Sequence, residues 1–309
     1  MNILIALGGN AILQENERGT FEEQQANIVN TARHITKIIK GGNNVVITHG
    51  NGPQVGDILL RYELAKVELP AMPLHVCGGE SQGMIGYMME QAITNELQKE
   101  SIGKEVVCVL TRTVVGKDDP HFEKPSKPIG PFYEKREADK LAKELGWTLM
   151  REDGKYRRVV PSPLPLEIVE LDTIKKLMSK GKIVICAGGG GVPVIKEKGS
   201  LGGVDAVIDK DLASSLLARK LKVDLFMILT DVDSVFLNYR KKSQRKLTRV
   251  NVGECKAYLA DGQFEDGTMK PKMEAAMSFV EATGKHAVIT ALADADKALR
   301  GKKGTVIVQ

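Results

Sequence analysis

The chain is poor in aromatic residues: Phe, Trp and Tyr make up 5% of its 309 positions, with a single Trp. It is poor in cysteine too. Cys77, Cys108, Cys186 and Cys255 lie far apart and never fall at C-x-x-C spacing, which excludes a disulfide framework and a zinc site and reads as a reduced compartment. No apolar run reaches the ~18 residues needed to span a bilayer, so no membrane partner is expected. Charge of one sign is lacking as well, since 44 Lys and Arg against 39 Asp and Glu leave +5. The densest basic stretch, 240–249, has no interleaved aromatic platform. A nucleic-acid footprint needs a concentrated basic face, and none is expected here. Met1 is followed at once by a strand-like run rather than a basic-then-apolar leader, so the cytoplasm is the expected location. Several chemical signatures are missing: G-x-x-x-x-G-K-[ST], H-E-x-x-H, G-x-S-x-G and an EF-hand loop. Gly50, Gly52 and Gly56 miss the strict G-x-G-x-x-G spacing by one, and the five histidines show no metal-ligand spacing.

What is present is an alternation of short apolar runs and longer helical patterns. The runs 2–7, 44–48, 105–110, 182–187, 223–229, 285–290 and 305–308 read as strands. Between them, 22–40, 54–66, 80–99, 173–180, 210–221, 272–283 and 295–300 read as helices. Leu212 and Leu216, like Ala213 and Leu217, follow the i, i+4 spacing of one helix face. Continuous apolar strands separated by helices predict an α/β fold, an open and mainly parallel sheet with helices on both faces. Ligands in such sheets bind beyond the carboxyl ends of the strands. One region breaks the rhythm. Residues 118–165 gain seven prolines and five of the fourteen aromatics, and are expected to project from the body as a small inserted subdomain.

Three expected strands end in glycine-rich turns: Leu7-Gly8-Gly9-Asn10, His49-Gly50-Asn51-Gly52-Pro53 and Ala187-Gly188-Gly189-Gly190-Gly191. Glycine lets backbone N–H groups approach a phosphate without a Cβ in the way. A single such loop is also how any tight turn is made; three, each directly after a buried strand, point to anion binding. His49 reads equally as a ligand contact or a structural imidazole.

Two lysines stand where a helix dipole disfavours them by roughly 0.3–1 kcal/mol. Lys210 opens one helix between Asp209 and Asp211, and Lys272 opens another just after Pro271, with Thr268 or a neighbour as cap. Two readings fit: solvated lysines softened by acidic neighbours, or cations reserved for a bound polyanion. The turn Thr230-Asp231-Val232-Asp233 follows the most apolar strand. Its aspartates fit either a nucleotide site or plain side-chain-to-backbone turns.

With these residues assembled, the chain resembles the amino acid kinase superfamily and, within it, the carbamate kinases. The resemblance runs end to end, through Ala6–Ala11, His49–Gly56, Lys127-Pro128-Ile129-Gly130-Pro131-Phe132-Tyr133, Gly188–Pro193, 205–212, 230–233 and 269–272. The Lys127 motif inside a Pro-rich insertion is its most specific part. The resemblance implies reversible transfer of a phosphoryl group between ATP and carbamate, giving ADP and carbamoyl phosphate, with Mg²⁺ and a homodimer. It implies that Gly8, Gly9 and Asn10 hold the transferring group, and that Gly50, Asn51 and Gly52 hold the carbamate end with Lys127 reaching in. Lys210 and Lys272 would neutralise the oxygens in flight, ordered by Asp211. Gly188, Gly189, Asp205, Thr230, Asp231, Val232, Tyr239 and Met269 would lie around the nucleotide. Residues 1–221 would then be the acid-binding lobe, carrying the 118–165 subdomain, and 222–309 the nucleotide lobe. One departure stands out: many superfamily members carry a lysine just before the first Gly-Gly, where this chain has Ala6 and Leu7. Lys210 is the candidate to supply that charge.

Overall fold

The structure, a computed structural model, describes every residue except Glu15, Asp153 and Asp266. The chain opens with β1 (Asn2–Leu7), α1 (Phe21–Lys40), β2 (Asn44–His49), α2 (Gly52–Ala65), α3 (Leu74–Lys99), β3 (Val106–Val109) and β4 (Arg112–Val115). The insertion follows with β5 (Lys127–Tyr133), α4 (Lys135–Leu145), β6 (Leu149–Glu152) and β7 (Lys155–Val160). Next come β8 (Pro165–Ile168), α5 (Leu171–Ser179), β9 (Ile183–Cys186), β10 (Val192–Glu197), β11 (Ser200–Gly203) and α6 (Lys210–Leu221). The last part runs β12 (Leu225–Thr230), β13 (Val235–Leu237), β14 (Arg245–Leu247), β15 (Arg249–Asn251) and α7 (Val252–Ala260). It closes with α8 (Met269–Thr283), β16 (His286–Ala291), α9 (Ala295–Leu299) and β17 (Thr305–Val308).

Eight strands form one sheet in the order β15-β17-β16-β12-β1-β2-β9-β3. All neighbours are parallel except β16 and β17. The continuous apolar strands of the sequence find their reason here, because both faces are covered. In β1, Ile3, Ile5 and Leu7 pack with Ile28 and Ile35 of α1 and Met89 of α3. Leu4 and Ala6 point the other way, into the core that holds Leu217 of α6 and Phe279 of α8. Each buried Leu or Ile contributes roughly 1.5–3 kcal/mol, so a shift by one residue, which exchanges the two faces, changes both cores at once. β1 lies between β2 and β12, with Leu7 opposite His49 on one side and Leu229 on the other. The turns leaving these three strands therefore emerge side by side at the carboxyl edge. Among the described residues, no helix is long and apolar enough to cross a membrane.

The insertion is an ordered unit with a three-stranded sheet, β5-β7-β6. At its base β4 and β8 pair antiparallel, with Val115 opposite Pro165. Its aromatics supply a small core: Tyr133, Ala138 and Trp147 pack with Leu60 of α2, and Arg158 lies 4.3 Å over the Trp147 ring. Beside these side-chain contacts, α2 and β5 also touch backbone to backbone at one point. A Cβ on Gly56 would come 2.0 Å from the amide nitrogen of Gly130, so only glycine fits.

Several elements depart from expectation. The helices α4 and α7, the short strand β15 and the four-stranded sheet β11-β10-β4-β8 are absent from the sequence reading. α3 begins at Leu74 rather than 80, and α8 at Met269 rather than 272. Pro271 is thus the third helical residue, not the first, and Thr268 occupies the cap position without a side-chain capping bond.

Candidate active site

The three glycine turns meet. The Gly8 N–H donates to the Leu229 carbonyl at 2.9 Å, and the Gly50 N–H donates to the Leu7 carbonyl at 3.2 Å, tying both turns to the carboxyl ends of β12 and β1. A Cβ on Gly50 would lie 3.7 Å from the Gly9 nitrogen and 3.6 Å from Cδ of Lys210. Gly9 and Asn10 are exposed at the mouth, whereas Asn51 is buried behind them. The third turn packs on the second: Gly189 has φ +61°, and a Cβ there would sit 2.1 Å from the Asn51 side-chain nitrogen. Asn51 in turn donates to Ser81 Oγ at 2.8 Å.

The third turn is braced by residues far away in sequence. The Ala187 N–H donates to Thr111 Oγ1 at 2.9 Å, and Thr113 Oγ1 donates to the Gly190 carbonyl at 2.8 Å. Gln82 holds the Thr111 main chain with two bonds of 3.0 Å. None of Ser81, Gln82, Thr111 and Thr113 carries a local motif, and the sequence reading misses them. His49 is buried, with Nδ1 2.9 Å from the Gly50 carbonyl. Burial drives its pKa down to about 4, with the Lys210 charge adding to the effect against the Gly50 hydrogen bond. The ring is neutral at neutral pH, and Nδ1 carries the proton toward the carbonyl.

α6 starts at the same edge. Asp209 caps it, Oδ1 accepting the N–H groups of Asp211 at 2.8 Å and Leu212 at 3.3 Å, a cap of the kind that contributes about 1 kcal/mol. The Lys210 ammonium turns onto Asp211 Oδ1 at 2.5 Å. Lys272 reaches the other oxygen of Asp211 at 3.3 Å and the Thr268 carbonyl at 3.0 Å. The Lys210 and Lys272 side chains are only 11% and 14% exposed, which rules out the solvated reading for both. From the subdomain, Lys127 at the start of β5 donates to Asp209 Oδ2 at 2.6 Å.

Burial lowers the Lys210 pKa, opposed by Asp211 and assisted by Lys272. Burial would raise the pKa of Asp211, but Lys210 and Lys272 hold it well below the usual carboxylate range. For Lys127 burial pulls downward and the Asp209 carboxylate outweighs it, leaving the ammonium above its ordinary value. Asp209 is likewise held down, Lys127 overcoming its burial. Three lysines against two aspartates leave 3 − 2 = +1 around three turns of backbone N–H groups. That arrangement suits an incoming polyanion.

On the β12 side, Thr230 Oγ1 donates to Asp231 Oδ1 at 2.8 Å. Val232 is half-buried beyond it, and Met269 opens α8 against the core. Tyr239 is 43% exposed, its ring 6.0 Å from that of Phe236. Asp205 is not brought to this turn. It faces α3, where it accepts from the His75 N–H at 3.3 Å and lies 3.0 Å from His75 Nδ1. Residues 205–209 run without helix, and the Val207 N–H donates to the Pro161 carbonyl, so nearness to Lys210 in sequence does not become nearness in space. Among the described residues no group of three or more His, Cys, Asp or Glu gathers that could hold a metal ion. Asp209 and Asp211 are already engaged by lysines.

Comparison with known proteins agrees with this geometry. A model of the amino acid kinase family matches residues 1–291. The carbamate kinase of Thermococcus kodakarensis is 52% identical over 311 residues, covering 99% of each chain. The carbamate kinase of Giardia lamblia bound to citric acid superposes with a TM-score of 0.95 at 47% identity, over 99% of this chain and 98% of that one. The same enzyme bound to AMP-PNP gives 0.92 at 48% identity, with the same coverage.

Proposed function

The chain belongs to the amino acid kinase family, among its carbamate kinases, and from that premise we propose how its residues carry the reaction ATP + carbamate ⇌ ADP + carbamoyl phosphate. The γ-phosphoryl group passes from the β–γ bridging oxygen of ATP, which leaves as a terminal oxygen of ADP, to a carbamate oxygen, or back, in a single displacement. Such a transfer requires in-line placement and compensation of charge spread over the phosphoryl oxygens. Neither demands a protein nucleophile. Lys210 and Lys272 stabilise the group in flight, Asp211 fixes their spacing, and the N–H groups of Gly9 and Asn10 complete the cradle, with Gly8, its own N–H spent on Leu229, setting the turn. Gly50, Asn51 and Gly52 hold the carbamate end, and Lys127 reaches it from the subdomain. The single observation that carries this reading is the convergence of Lys210 and Gly9 on Gly50, where an added Cβ would stand 3.6 Å from Cδ of the lysine and 3.7 Å from the Gly9 nitrogen.

The sequence reading sets Gly188 and Gly189 beside the nucleotide; packed on His49 and Asn51, they back the acid pocket instead, and Thr230, Asp231, Val232, Tyr239 and Met269 surround the nucleotide. Residues 222–309 thus form the nucleotide lobe, and 1–221 the acid lobe with its 118–165 subdomain. Because no acidic cluster among the described residues would hold Mg²⁺ by itself, the ion would arrive with the nucleotide and, when bound, would offset charge on the transferring group. The enzyme acts as a homodimer; β3 leaves an open sheet edge beside exposed Tyr87 and Leu110. The four free cysteines support a cytoplasmic location. The test is a coupled assay for ATP from ADP, Mg²⁺ and carbamoyl phosphate, with acetyl phosphate as control and EDTA abolishing turnover. Robust turnover with glutamate or aspartate and none with carbamoyl phosphate overturns the assignment.

A further inference from the structure

We propose that Asp209 is a positioning residue for the reaction, because its two carboxylate oxygens join the subdomain's cation to the start of the catalytic helix. This rests on the reading of Lys127 as the cation that reaches the acid substrate. Asp209 Oδ1 is spent on the helix, accepting from the N–H groups of Asp211 and Leu212. Oδ2 is spent on Lys127 at 2.6 Å. No other hydrogen bond between an ammonium of the subdomain and α6 occurs among the described residues. A lysine carries a flexible four-carbon stem, so its charge is placed only as well as its partner places it. Asp209 is itself fixed by capping and only 8% exposed, which makes it a rigid partner.

The division of labour between the two aspartates is complementary. Asp211 spaces Lys210 and Lys272, one on each oxygen. Asp209 holds Lys127 one helical step away and keeps it off Asp211, whose charge also attracts it. Without Asp209 the third ammonium has only Asp211 or solvent to turn to. Either choice removes it from the acid end, and the first also disturbs the spacing of the other two. Loss of placement by an ångström is enough to slow transfer severely.

The two duties of Asp209 are separable by substitution. Asp209→Asn retains a side-chain oxygen to cap α6 but no charge for Lys127, whereas Asp209→Ala loses both. Steady-state kinetics with carbamoyl phosphate, equilibrium ADP binding and thermal unfolding are measured on Asp209→Asn, Lys127→Met and the double variant. The expected result is an unfolding temperature for Asp209→Asn close to the parent's, with kcat/KM for carbamoyl phosphate lowered about tenfold. ADP affinity stays within about twofold, and the double variant is no worse than Lys127→Met alone, as coupled residues require. A tenfold loss in Lys127→Met beside parent-like kinetics in Asp209→Asn makes Asp209 a helix cap only and overturns the inference. Multiplying losses in the double variant overturn it too. Parent-like kinetics in Lys127→Met instead sink the assignment of Lys127 and this inference with it. Should Asp209→Asn fail to fold, Asp209→Ser, a shorter uncharged cap, takes its place in the same measurements.

Discussion

The two ends of the cleft are built by opposite means. At the acid end, three glycine turns lock into one another, an aspartate spaces two lysines, and nearly every polar group is buried and engaged. At the nucleotide end, a single turn after β12 carries an exposed Asp231, and Tyr239 stands half in solvent with Phe236 and Arg240 beside it. The difference follows from the chemistry. Charge develops and moves at the acid end, where dipoles fixed in advance act without reorganising. The nucleotide end has only to bind and release a large ligand, whose own rings and phosphates bring much of the contact with them.

The strongest way to break that contrast is at Lys210. Lys210→Met is expected to lower kcat by about 10²–10³, or ~3–4 kcal/mol of transition-state stabilisation, while ADP affinity changes far less; stopped-flow and equilibrium binding separate the two. The lysine is buried on Asp211, so thermal unfolding should also fall, in contrast to an exposed lysine, whose removal moves stability by about 0.5 kcal/mol at most. Unchanged kcat would place the charge compensation elsewhere.

A second effect concerns acid. His49 has a folded pKa of about 4 against the ordinary 6.5, so the unfolded chain takes up the proton first as pH falls. The stability that depends on the neutral ring is complete above pH 6.5 and is lost on descending through 4, roughly 3 kcal/mol over the whole window. Denaturant unfolding at several pH values should show this slope in the parent and a shallower one in His49→Gln. Equal slopes would remove His49 from the acid-end framework.

Smaller again is Gly189→Ala. The left-handed backbone alone costs a side chain roughly 1–2 kcal/mol, and the new methyl displaces Asn51. Lower stability together with a raised KM for carbamoyl phosphate is expected. A raised Kd for ADP with KM intact would move the third turn to the other end of the cleft.

The smallest effect belongs to the open end. Tyr239→Ala should weaken ADP by about 1 kcal/mol, the scale of one ring contact, and leave thermal stability and the carbamoyl phosphate KM within error. Isothermal titration reads it directly. A change in kcat as large as that of Lys210→Met would abolish the distinction between the ends.

Much of this was legible before any coordinates. Fully buried parallel strands have to be apolar throughout, so β1, β2, β12 and β16 declare themselves. The glycine turns and the misplaced lysines are visible because each violates a local preference that only a ligand or a partner offsets. What stayed hidden has two causes. Helices α4 and α7 had signals that were overshadowed: Ala138, Leu141 and Leu145 mark one face of α4 beside a Pro-rich stretch, and Asn251 with Glu254 forms a capping box at α7. Thr111, Thr113 and Gln82 had no signal at all, since they act on a turn some 76 residues or more downstream or through one another. Asp205 engages His75 of α3, 130 residues away in sequence, and no local pattern announces that partner.

The contact between Gly56 and Gly130 decides what kind of machine the subdomain can be. Interfaces lined by side chains slide, because rotamers exchange one fit for another. Here main chain rests on main chain with no room for a methyl group, a fixed stop beside the side-chain contact of Leu60 with Tyr133. The β5 sheet and α2 therefore keep one register at this point, and α2 begins at Gly52, with Asn51 at its cap position. The lysine above and the loop beneath are thus gauged against one another, with Asp209 at the head of α6 closing the bite.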